Sequence, residues 1–94
     1  MITQEEFDRR SAEVRATAEY QEEMERLELA HAVGQQVKAA REALGWSQSE
    51  LARQAGMKPH AVSRLESGTV LPSLATLNRV ANAMHQHLTI AFAA

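Results

Sequence analysis

The sequence predicts an all-α fold: a bundle of short helices with a long N-terminal helix at one end and one short strand at the other. Three observations predict it. Apolar residues recur at helical spacing through most of the chain. From Gly45 to Pro72, glycines and prolines punctuate that pattern at intervals too short for anything but small helices. Only residues 87–92 alternate in the manner of a strand. The chain divides accordingly into an N-terminal helix over residues 1–30, a bundle over 31–86 and a tail over 87–94. The aromatics are few (Phe7, Tyr20, Trp46 and Phe92), so the core must be built from Leu, Val, Ala and Met.

Residues from about Thr3 to Leu29 hold no Gly or Pro and are rich in good helix formers. Thr3 with Glu6 fits a capping box, and Glu5–Arg9, Glu6–Arg10 and Glu22–Arg26 are opposite charges at helical spacing. The apolar positions Phe7, Val14, Tyr20, Met24 and Leu27 are sparse, so this helix buries little of itself. From His31 to Leu44 a second helix places Val33, Val37, Ala40 and Leu44 on one face, and Gly45 stops it. Ser47 with Glu50 caps a third over Gln48–Ala55, which Gly56 ends. Pro59 opens a fourth that runs to about Glu66 and stops at Gly68. A fifth begins at Pro72-Ser73, with Leu74, Leu77, Val80, Ala81 and Met84 inward. Ala52 and Gly56 are small where helix backbones are expected to approach closely.

The net charge of -2 conceals a split. Residues 1–30 carry nine acids against four bases, and residues 31–94 carry three acids against six bases. Two surfaces with different partners are therefore expected. The chain has no cysteine, which excludes disulfides and thiolate metal sites. No apolar run approaches the ~18 residues that span a bilayer, and the N-terminus lacks a secretory core, so a cytoplasmic protein is expected. Among the histidines (31, 60, 85, 87) only His85-x-His87 is close-spaced, and no nucleophile triad, carboxylate pair or phosphate loop stands out. Neither metal, cofactor nor enzymatic activity is expected.

Leu51, Ala52, Ala55, Val62 and Leu65 form the inward set of two helices joined by a tight turn. Lys58, Pro59, His60, Ala61, Ser63 and Arg64 are left pointing outward. A DNA major groove admits a helix, whose N-terminal half reaches base edges. Arg64 can pair bidentately with a guanine edge, and His60 and Ser63 can hydrogen-bond bases or phosphates. Ser47 and Gln48 start the preceding helix, where side chain and free backbone N–H groups can hold a phosphate.

The stretch SQSELARQAGMKPHAVSRLESG resembles the helix-turn-helix of the phage-repressor-like (XRE/Cro) family. Ser47, Gln48, Glu50, Leu51, Ala52, Gly56, Val62, Ser63, Leu65, Glu66 and Gly68 match that family's pattern. Pro72-Ser73-Leu74, Leu77, Val80, Ala81 and Met84 match its next helix. The resemblance covers about Val33–Met84. It implies a repressor-like DNA-binding bundle and a structural ion pair between Arg41 and Glu66. Met57-Lys58-Pro59 departs from the pattern, so no base preference carries over.

A lone strand over 87–92 needs a partner, and the chain offers none. The expected partner is a second copy, paired across a two-fold axis, with Leu88, Ile90 and Phe92 covering the helical core. A homodimer also suits two recognition helices set about one DNA turn apart on a palindromic operator. The whole layout resembles HigA-type antitoxins of bacterial type II toxin–antitoxin systems. That resemblance implies autorepression and a small basic RelE/HigB-like ribonuclease toxin as partner. Phe7, Val14, Tyr20, Met24 and Leu27 would anchor the toxin, with the glutamates as a charged rim. The alternative is a stand-alone or phage-type repressor whose N-terminal helix is only an oligomerisation arm.

Overall fold

Caps fix where the helices begin. The hydroxyls of Thr3, Ser47 and Ser73 accept from the backbone N–H groups of Glu6, Glu50 and Thr76 at 3.1, 3.0 and 3.1 Å. The computed structural model covers residues 1–94 and contains four helices: α1 Gln4–Ala43, α2 Gln48–Ala55, α3 Pro59–Ser67 and α4 Leu74–Ala83. Helix α3 alone lacks a side-chain cap. It has Pro59 in its first turn instead, where a missing N–H costs nothing.

The first two expected helices are one. Helix α1 runs unbroken for 40 residues. Nothing between Leu29 and His31 interrupts its hydrogen-bond ladder, because no glycine or proline stands there. What changes near residue 30 is the surroundings. No residue of α1 before Ala30 is buried, whereas Ala30, Gly34, Val37 and Arg41 are. The long dimension of the molecule, 65 Å against 29 and 19 Å, follows from this projecting rod.

The core lies between the C-terminal part of α1 and the other three helices. Helix α3 packs on α1 and α2, and α2 packs on α4. Leu51, Val62 and Val80 are fully buried at its centre, joined by Val37, Ala52, Leu65, Leu77 and Met84. Leu44 and Leu74, expected inward, are 41% and 61% exposed.

The close approach of backbones occurs at a glycine that the sequence pattern does not single out. A Cβ on Gly34 would stand 2.6 Å from the Leu65 carbonyl oxygen and 2.7 Å from that of Glu66. Helices α1 and α3 therefore meet backbone to backbone. Gly56, expected at a close approach, faces open space instead. Its φ of +66° is what requires glycine there, because the turn out of α2 is left-handed.

The expected C-terminal strand is absent. Residues after His85 form neither helix nor strand, and Leu88, Ile90 and Phe92 lie exposed rather than over the core. The physical reason is that a strand needs an edge to pair with, and this all-helical chain supplies none.

Candidate nucleic-acid interface

Helices α2 and α3 form a rigid corner. Gly56 turns the chain, and the Met57 N–H bonds back to the Ala52 carbonyl at 2.8 Å. Val62, Leu65 and Glu66 anchor α3 inward. Its opposite side presents Pro59, His60, Ser63 and Arg64, all exposed, with Lys58 exposed just ahead of them. Ser67 completes that side. His60, Ser63, Arg64 and Ser67 stand at i, i+3, i+4 and i+7, one face of a helix. The sequence reading omitted Ser67, although this spacing would have found it. The Ser67 hydroxyl donates to the Arg64 carbonyl at 2.7 Å and also meets the Thr69 hydroxyl at 3.2 Å.

The charges on this corner divide into tied and free. Arg53 on α2 is tied to Glu50 by two hydrogen bonds of 3.0 and 2.7 Å. Those bonds from Arg53, followed by one from Gln54, hold the Glu50 carboxyl down at about 2. Lys58 and Arg64 take part in none of the chain's salt bridges. They are the cations that the corner leaves available to an anionic ligand.

Behind α3, Arg41 grips Glu66. Its Nε donates to Glu66 Oε2 at 2.7 Å, and its Nη2 donates to Oε1 at 2.9 Å. The third donor, Nη1, reaches the Trp46 carbonyl at 2.7 Å. Burial pushes the Glu66 carboxyl up. Hydrogen bonds from Arg41 and Gln48, with the charges of Arg41 and Lys38, outweigh it and hold the group below the usual carboxylate range. This pair joins the C-terminal end of α3 to α1 and, through Trp46, to the turn before α2.

Gln48 sits differently from the sequence expectation. It is half-buried, and its Nε2 donates to Glu66 Oε1 at 3.1 Å. Its side chain is therefore partly committed to the protein. Any phosphate contact must use the other amide hydrogen or a backbone N–H of α2. Ser47 is exposed, and its oxygen already caps α2.

The five apolar positions of the N-terminal segment do not gather into one patch. Tyr20, Met24 and Leu27 follow i, i+4, i+7 spacing on one face of α1. Phe7 and Val14 lie about 120° round the helix from them, at ~100° per residue. All five are exposed.

No helix of the chain is long and apolar enough to cross a membrane. No solved structure matches the chain. It is 39% identical over 59 residues to y4dL, an uncharacterized HTH-type transcriptional regulator of Sinorhizobium fredii. That alignment takes in 63% of this chain but only 30% of the relative. A family model described as helix-turn-helix matches residues 37–90, the part of the chain that holds the α2–α3 corner and its supports. With that match over more than half its length, the chain belongs to the helix-turn-helix family.

Proposed function

We propose that the chain is a sequence-specific DNA-binding regulator that sets α3 into the major groove of a palindromic operator as a homodimer, and thereby represses its own operon. One observation carries the reading. A rigid two-helix corner presents His60, Ser63, Arg64 and Ser67 along one exposed face, with the unpaired cations Lys58 and Arg64 on it. Arg64 reads a guanine edge, and Lys58 contacts phosphate. The exposed Leu88, Ile90 and Phe92 support the dimer. Strand pairing with a second copy would give residues 87–92 the edge they lack.

The bare N-terminal part of α1 supports a second role. Tyr20, Met24 and Leu27 are exposed on one face of an acidic helix. That combination suits a small basic partner, and the antitoxin reading makes it a RelE/HigB-like ribonuclease held by stoichiometric binding.

The test is a gel shift with a duplex taken from upstream of the gene and a random duplex of equal length. Arg64→Ala should lose ~1–3 kcal/mol on the operator and little on random DNA, whereas Lys58→Ala should weaken both alike. Equal losses on both duplexes for Arg64→Ala would remove its base-reading role. For the partner, the full chain and Met24→Asp are compared for co-elution with any small basic protein that a neighbouring reading frame encodes. A complex that forms only with the parent chain supports the antitoxin reading. DNA binding without any complex leaves a stand-alone repressor.

A further inference from the structure

The face of α1 that carries Phe7 has no partner in the chain. Phe7 is 55% and Val14 71% exposed, and Ser11 and Ala18 complete a stripe between and beyond them. The steps along this stripe alternate between four and three residues, the 3.5-residue repeat of a coiled-coil seam. Gln4 and Gln21 continue it by one step at each end. We propose that this stripe pairs antiparallel with the same stripe of a second copy of the chain.

Size and charge both select that arrangement. Set antiparallel, Phe7 falls opposite Ala18 of the second copy, and Ser11 falls opposite its Val14. Large meets small at each layer, and Gln4 against Gln21 closes each end with polar amides. Asp8 and Arg15 flank the stripe on one edge, each one residue after an apolar layer. The antiparallel pairing brings Asp8 of each copy beside Arg15 of the other, giving two symmetric ion pairs. A parallel pairing instead sets Arg10 of each copy beside Arg15 of the other, which repels. Neither Arg10 nor Arg15 is engaged in a salt bridge within the chain. Asp8 accepts only from Gln4 Nε2, at 3.0 Å.

The seam is short, so it is weak alone and effective where copies are already held near one another, as on adjacent DNA sites. Phe7 stands about 35 Å along the helix axis from Ala30, well clear of the bundle. The stripe also leaves the Tyr20, Met24 and Leu27 face uncovered. The proposal goes beyond the operator and antitoxin readings and is tested without DNA or any other protein.

The chain has no cysteine, so single thiols can be introduced cleanly. Full-length Ser11→Cys and Val14→Cys chains are mixed and oxidised. The expected product is the mixed disulfide in excess of both symmetric ones. Symmetric disulfides in excess, or the statistical ratio found in denaturant, overturn the proposal. Sedimentation equilibrium then compares the parent chain, Asp8→Arg, and Asp8→Arg with Arg15→Asp. Asp8→Arg should weaken self-association roughly tenfold, and the charge swap should restore it. Three identical isotherms, or no restoration, overturn it. So does a chain that shows neither the mixed disulfide nor self-association.

Discussion

Replacing Arg41 with Met tests how the recognition helix is held. Glu66 is only 5% exposed, and Arg41 supplies two of its hydrogen bonds, at 2.7 and 2.9 Å. Without the guanidinium, a buried carboxylate keeps Gln48 and the distant charge of Lys38 but loses its main partner. The Trp46 carbonyl loses its donor as well. Breaking a buried pair on one side costs about 3–5 kcal/mol. At ~4–8 °C per kcal/mol for a domain of this size, the lower bound is a fall of about 12 °C in Tm. The pH dependence is the sharper test. In the parent, Glu66 titrates below its unfolded value, so the pair stabilises above about pH 4.3 and is lost as pH falls through the folded value. In Arg41→Met the lowering by the guanidinium is gone and burial moves the Glu66 carboxyl up, so the stability that Glu66 contributes at neutral pH falls away. The difference between parent and variant should therefore be large at pH 7 and shrink below about pH 4. Arg41→Met with Glu66→Met removes both charges and should recover most of the loss. The assay is urea unfolding followed by the fluorescence of Trp46, the only tryptophan, which packs against the core. It reports the bundle and not the exposed part of α1. A loss under ~1 kcal/mol at pH 7, or equal losses at pH 3.5 and 7, would refute the reasoning.

Two further perturbations separate packing from exposed charge. Gly34→Ala lies inside a helix, where the exchange ordinarily gains ~0.5–1 kcal/mol. Here the new methyl meets two backbone carbonyls at 2.6 and 2.7 Å, so the Trp46-detected urea midpoint should fall, and a rise would show that α1 and α3 can part freely. Arg53→Ala should let the Glu50 carboxyl rise from about 2 toward the ordinary carboxylate range, followed by NMR titration. The same change should leave the urea midpoint where it was, because the Arg53 side chain is 69% exposed and the pair is screened by solvent. A clear drop would mean that the Glu50–Arg53 pair stiffens the corner.

What the sequence made legible was local. The α2–α3 corner rests on a Ser47 cap, a left-handed Gly56 and a proline at the first position of α3. Each of these acts within four residues of itself, so each can be read from its neighbours. The outward set of α3 follows from the inward set by helical arithmetic, and the same arithmetic would have added Ser67 and divided Phe7 and Val14 from Tyr20, Met24 and Leu27. What escaped depends on residues far apart in the chain. The half-commitment of Gln48 to Glu66 spans 18 positions. The backbone that crowds Gly34 lies on α3, and nothing near Gly34 announces it. The boundary near residue 30 is a subtler case. The apolar pattern changes there because neighbours begin there, not because the helix ends, and a pattern alone does not distinguish the two. The tail shows the converse. Leu88, Ile90 and Phe92 alternate as a strand does, yet alternation specifies only a surface that fits an edge. Whether that edge exists is a property of the assembly, so a single chain leaves the pattern unspent.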